Sequence, residues 1–403
     1  MNKQTAKTEQ LAAEKAERLE IAKTKLLDGA IGAISVDTCI FTETGYRLDT
    51  GILKHLEQFK DNAFQLVFSE ITIREIRGHI VRDSEEARVK LISALRGVGK
   101  YWAVQSEKQE SVATELLGAK TAKDIALKRL QDFGNRCGIE LIDAKTTLDI
   151  PELLKRYFNT QPPFESSAEK KSEFPDAITL LSLQAWAKKE NTAVLFVTKD
   201  KGCKDFCKES ECLYAVDDLS VALTLIQDRD THCATLCKAI ETKIANGDYP
   251  DLMEQILDTI GNHIWDIDWI PEADAAYSYD DELEDVEVVR GEFAPTYGRA
   301  EFRAVDYRND QMVVQASIKL DIRASCSFSF SVKDSIDHDM VHIGDAQVSR
   351  KDTVTVDVLL TFDSLNVETP EVVEIELIPS RQKLDFGPIE PDYGEEDPNS
   401  EYY

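Results

Sequence analysis

Short apolar runs alternate with helical patterns through the first 230 residues of this chain, and few folds accommodate that rhythm. Gly32 to Val36, Ala63 to Phe68, the IELID segment after Gly138, Ala193 to Thr198 and Leu213 to Val216 read as buried strands. Between them the pattern predicts helices: Gly51 to Phe59, ITIREIRGHIVRD behind an N-capping Ser69, a helix opened by Pro175 and Asp176, and LSVALTLIQ. Parallel strands can be joined only by crossovers, so this succession specifies an α/β fold with a parallel sheet.

At 403 residues the chain exceeds one ordinary core, and its composition changes along its length. Residues 1–29 contain an amphipathic helix, Thr5 to Leu27, expected to pack on the domain that follows. Residues 30–230 form the α/β domain, with a long charged helical insertion at about 82–172. A helical linker is expected over 231–270. Alternating short runs over 271–385 then predict an acidic antiparallel β domain, a sandwich, and 386–403 is too poor in apolar residues to be other than a disordered tail.

The net charge is −28, which is unpromising for a nucleic-acid ligand until its distribution is considered. Residues 271–403 hold 31 acidic and 11 basic residues, the remainder 44 and 36. No run approaches about 18 uninterrupted apolar residues and the N-terminus lacks a signal-peptide core, so no membrane partner is expected and the cytoplasm is the expected location. Eight cysteines at this length suit free thiols in a reducing compartment. Cys203, Cys207, Cys212, Cys233 and Cys237 lack the tight CxxC knuckle typical of zinc. There is no GxGxxG, no GxxxxGK[ST] and no GxSxG, which removes dinucleotide, P-loop and serine-hydrolase readings.

Four acids stand where strands end or helices begin: Asp37 after AISV, Glu75 in SEITIREI, Asp176 in FPDAI and Asp200 in VTKD. Such carboxylates point into the crevice at the edge of an α/β sheet, where oxygen ligands suit Mg²⁺ or Mn²⁺. Each acid alone could merely cap a helix. Four together point to a divalent-cation site that serves phosphodiester chemistry. Arg74, Arg77, Arg82, Lys199, Lys201 and Lys204 lie nearby in sequence, either as a positive wall or as solvated surface. His79 follows Glu75 by one helical turn and would face the same side, for phosphate contact or as a plain surface residue. Asp205 is a fifth acid, read as a helix cap.

SVDTCIF, SEITIREI, PDAITLLSLQA and VLFVTKDKG, in this order, resemble the PIN domain, a nuclease fold. REIRGHI, PDAI and TKDKGCKDFC resemble more narrowly a group of bacterial PIN-like proteins of unknown function with a long helical insertion, over about residues 30–225. The resemblance implies a Mg²⁺- or Mn²⁺-dependent endonuclease acting on single-stranded nucleic acid, RNA favoured. It implies that Asp37 and Asp200 hold the principal metal, and that Glu75 and Asp176 complete the site or bind through water. Thr198 would add a hydroxyl or position Asp200, and Thr198, Lys199, Lys201, Arg74 and His79 are the candidate substrate-binding residues. The alternatives are a DNA-cleaving nuclease of defence type, or a non-catalytic PIN-like scaffold whose acidic β domain recruits a protein partner or self-associates.

Overall fold

The computed structural model describes residues 3–392 except 119, 165–172, 230, 297–298, 301, 309, 334–338, 364 and 366–369. The chain divides into two compact units, Met1–Thr231 and His232–Tyr403.

The first unit runs α1 (Lys3–Leu27), β1 (Ile31–Val36), α2 (Thr38–Glu43), α3 (Gly51–Lys54), β2 (Gln65–Ser69), α4 (Glu70–Trp102), α5 (Ser106–Leu117) and α6 (Ala122–Cys137). It continues with β3 (Glu140–Ile142), α7 (Ala144–Thr147), α8 (Ile150–Asn159), α9 (Phe174–Lys189), β4 (Ala193–Val197), α10 (Lys201–Glu209), β5 (Leu213–Val216) and α11 (Leu219–Gln227). The five strands form one parallel sheet in the order β3-β2-β1-β4-β5. Its central strands are apolar on both faces, as a sheet covered on both sides requires: every residue of β4 is buried. Ser69 caps α4 by accepting the Ile71 N–H.

The segment read as an insertion is partly core. β3 adds an edge strand, and α6 buries Phe133 edge-on against Phe41, 6.0 Å between ring centroids, while Phe41 meets Phe68 at 5.9 Å. Each such aromatic pair contributes about 0.5–1.5 kcal/mol beyond area burial. Arg136 anchors α6 further, reaching Glu57 at 2.6 Å and the Leu48 carbonyl at 2.9 Å. The insertion does not begin at 82 either, since α4 runs unbroken through that point to Trp102. At the N-terminus, Arg18 of α1 pairs with Asp217 at 3.1 Å and ties that helix to the end of β5.

The second unit contains α12 (Thr231–Asn246), α13 (Leu252–Asn262), β6 (Asp268–Asp274), β7 (Ser278–Phe293), β8 (Pro295–Thr296), β9 (Arg299–Ala300), β10 (Phe302–Arg308), β11 (Gln311–Lys333), β12 (Met340–Asp363), β13 (Glu371–Ile378) and β14 (Arg381–Pro388). β7, β10, β11, β12 and β13 make an antiparallel sheet, while β14 pairs in parallel with β6. The expected sandwich is therefore replaced by one large antiparallel sheet that packs on helices and on the β6–β14 pair. Ile318, Leu320, Ile322, Phe328 and Phe330 of β11 share a core with Cys233, Cys237, Ile240, Ile256 and Ile260 from α12 and α13. Those helices, read as a linker, supply apolar faces that the sheet buries. The chain also keeps its order past residue 386: β14 reaches Pro388, Ile389 is buried and Asp392 bridges to Asp345. The rest of the segment read as a disordered tail, 393–403, lies outside the described residues.

Candidate active site

Strand order reverses at β1, with β2 on one side and β4 on the other, which opens a crevice above their carboxyl ends. Asp37 leaves β1 at that point, its N–H donating to the Val197 carbonyl of β4 at 2.9 Å. It occupies the N-cap position of α2 but makes no side-chain cap. Instead its Oδ2 accepts from the Thr198 hydroxyl at 2.5 Å and from the Cys39 thiol at 3.3 Å. The capping explanation therefore fails for this residue. Thr198 is fully buried and also accepts the Asp200 N–H at 3.0 Å, so one hydroxyl links the acids that follow β1 and β4. Asp200 does cap α10, through Oδ1 to the Cys203 N–H at 2.8 Å.

Glu75, in the second turn of α4, accepts from the Thr38 hydroxyl at 3.2 Å, which joins β2's helix to β1's loop. Asp176 lies in the first turn of α9. Burial raises the Asp37 carboxyl, the Thr198 hydrogen bond opposes that rise, and Asp200 adds to it. Glu75 is raised by burial, opposed by Thr38 and reinforced by Asp37. Asp176 is raised furthest, to about 8, by burial and then by Asp37, Asp200, Glu75 and Glu173. The four acids predicted from the sequence thus act on one another as a group, and the strongest influences on the three raised ones include no lysine or arginine.

The predicted substrate-side residues are engaged otherwise. Arg74 turns to Glu70 at 2.7 Å and Lys199 pairs with Glu43. His79 stacks on Tyr46 with ring centroids 5.8 Å apart, and its Nδ1 lies 2.9 Å from Arg82. Lys201 is exposed in the first turn of α10. Asp205 is no cap: it lies within α10 and pairs with Lys208 at 2.9 Å. Cys203, Cys207 and Cys212 are buried free thiols. The Cys203 thiol is held well above its ordinary range by burial and then by Asp37, Asp176 and Asp200.

Sequence reasoning missed Thr38, Cys39 and Glu173. Thr38 and Cys39 directly follow Asp37 in SVDTCIF, and a first helical turn beside an acid was the signal available. The Cys39 thiol, raised to about 12 by burial and then by Asp37, remains a protonated donor at neutral pH. Behind Asp200, a Cβ at Gly202 would meet the Pro163 carbonyl at 2.6 Å and Asp200 Oδ1 at 3.2 Å, so glycine permits a close seat for residues 162–164. Arg156 of α8 fastens that seat, donating to the Pro162 carbonyl at 2.7 Å and lying over the Phe206 ring at 4.4 Å.

Carboxylates that repel one another are oxygen donors of the kind a hard divalent ion takes. Among the described residues, however, no three His, Cys, Asp or Glu side chains are already drawn into a ligand cluster. No helix among the described residues is long and apolar enough to cross a membrane. A family model described as PIN domain matches residues 34–203, a span that contains all four acids. No curated protein and no solved structure matches the chain.

Proposed function

From the premise that residues 34–203 form a PIN-like domain, we propose that this protein is a divalent-metal-dependent endonuclease acting on single-stranded nucleic acid, with RNA the preferred substrate. The observation that carries this reading is Asp37. A buried carboxylate at a helix N-terminus forgoes its cap and is held by Thr198 and Cys39 toward Asp200, Glu75 and Asp176. Uncompensated charge of this kind costs stability, and a scaffold has no need of it.

Asp37 and Asp200 would hold the principal Mg²⁺ or Mn²⁺, while Glu75 and Asp176 would complete the site directly or through water. Bound there, such an ion supplies Lewis-acid polarisation of the phosphodiester and a water activated near neutral pH. The protein's own contribution is positional. Thr198 fixes Asp37 through Oδ2, and the α10 cap holds Asp200 through Oδ1. Asp176, raised to about 8, keeps a proton at neutral pH until a cation displaces it.

Asp37→Asn and Asp200→Asn should each lower Mn²⁺-dependent cleavage of a labelled single-stranded RNA by about 100-fold or more, with circular dichroism unchanged. Full cleavage by both variants would reject the reading. That no ready-made ligand cluster stands among the described residues favours a second reading, a non-catalytic scaffold that recruits a partner through the acidic second unit. Titration calorimetry with Mn²⁺ separates the two, since a scaffold gives no binding that depends on Asp37 and Asp200. The protein would act in the cytoplasm, and single-stranded DNA offered in the same assay tests a defence-linked DNA substrate.

A further inference from the structure

α4 is longer than the site requires. Its first turns are anchored by buried Thr72, Ile76 and Ile80, and no residue of the helix beyond Ile80 is buried. The remainder, to Trp102, is an arm whose Glu85, Arg88 and Ile92 lie beside α5 and the start of α6. α5 returns along it closely enough that a Cβ at Gly99 would strike the Gln109 side chain.

The arm has a direction set by Glu75. At about 100° per residue, His79, Arg82, Glu86, Val89, Ser93, Arg96 and Lys100 lie within about 60° of the face that bears Glu75. From Arg82 outward these residues are exposed. Near the core the charges are balanced: Arg82 pairs with Asp83 at 3.0 Å, Arg88 with Glu85 at 3.1 Å and Lys90 with Glu86 at 2.9 Å. Farther out the balance ends. Residues 91–102 of this helix hold Arg96 and Lys100 and no acid, in a chain of net charge −28. The arm finishes in two aromatic rings in water, Tyr101 at 78% and Trp102 at 81% exposure, with Lys100 Nζ 5.0 Å from the centre of the Tyr101 ring.

We infer that the outer half of α4 is a rail for single-stranded nucleic acid: Arg96 and Lys100 take backbone phosphates and the Tyr101 and Trp102 rings stack unpaired bases, while Glu75 on the same helix belongs to the cleavage site. The inference rests on the nuclease reading only for the role of Glu75. Local positive charge selects a polyanion, and exposed rings beside it select one whose bases are free to stack. A duplex offers no such faces, so the rail gives the single-stranded substrate of the nuclease reading a path along α4.

The test uses the full chain and two fluorescein-labelled oligouridylates, a 24-mer and a tetramer. Glu75 and Lys100 lie about 38 Å apart along the helix, beyond the tetramer's useful reach. Binding is followed by anisotropy in EDTA across a salt series, and cleavage is followed in Mn²⁺. Arg96→Ala/Lys100→Ala should weaken 24-mer binding about tenfold at low salt and flatten the log–log salt slope by about 1.4, the share of two phosphate contacts on a single strand. Tyr101→Ala/Trp102→Ala should weaken it by a similar factor with the slope kept. Tetramer cleavage should be unchanged in both.

Wild-type 24-mer affinity and slope in both variants would overturn the rail. So would a concentration-dependent dimer, seen by sedimentation, that Tyr101→Ala/Trp102→Ala dissolves while 24-mer binding persists, because the tip would then serve self-association. Failure of the nuclease reading looks different: the wild type binds the 24-mer through the arm but cleaves neither oligonucleotide.

Discussion

Asp176 condenses the chemistry of the site into one titration. Its ordinary value of 3.8 rises to about 8 in the folded protein, through burial and then through Asp37, Asp200 and Glu75. The folded state therefore holds this proton more tightly than the unfolded chain does. Its stabilising effect is full below about pH 4 and is lost as the pH climbs through about 8. Without metal, the unfolding free energy should fall between pH 5 and 9, and Asp176→Asn should recover about 1–3 kcal/mol at pH 9, a range reduced for partial exposure to solvent. Denaturant midpoints at both pH values check this, and parallel curves for variant and wild type would remove the carboxylate from the explanation. Cation uptake works against the same proton. Affinity for Mn²⁺ should strengthen over that window, with about one proton released per ion in calorimetry run in two buffers. The four acids were legible because residue type and strand-end position are written in the sequence. Their holders were less so, since the hydroxyl of Thr38 and the thiol of Cys39 matter only through the rotamers that aim them at Glu75 and Asp37.

Elements with one buried stripe or a closed apolar run were the easiest to read. β5 and α11 fall on the residues that periodicity assigns, because Leu213 to Val216 and Leu219 to Gln227 bury what their patterns offer. α4 defeated that logic: DSEEAR looks like a break between two helices, yet the helix continues with no buried residue, supported by pairs one turn apart from Arg88 to Glu85 and from Lys90 to Glu86. β11 joins two runs that read as separate strands, QMVVQASIKLDIRA and CSFSFSVK: Ser325 stands between them, yet Ala324 and Cys326 on either side are both buried and the alternation of the 23-residue strand passes through unbroken. The joint between α8 and α10 supplies the prediction at this scale. Alanine normally stabilises a helix over glycine by about 0.5–1 kcal/mol, but Gly202→Ala should instead cost about 1–3 kcal/mol, because the added methyl meets the Pro163 carbonyl. Thermal denaturation together with the cleavage rate tests it; a higher melting temperature with unaltered rate would show the seat to be loose.

Between the two units the charge divides unequally: residues 1–231 hold 37 acidic and 34 basic residues, residues 232–403 hold 38 and 13. A polyanionic ligand is therefore met by a nearly neutral domain and repelled by the rest. The fragment 1–231 should bind single-stranded RNA more tightly than the full chain at about 20 mM salt, and the gap should close near 0.3 M as screening shortens the Debye length. Equal affinities at low salt would mean that the acidic unit exerts no field on the ligand. The parallel sheet of the first unit is complete without a strand from beyond residue 231, whereas β11 and β12 pair residues as distant as Met312 and Phe362. On a ribosome the consequence is temporal. The N-terminal half can close as soon as it emerges, while its successor awaits its final strands, about 10–30 s of further translation. Each newborn molecule thus passes through an interval in which its PIN-like half is folded before its negatively charged companion exists.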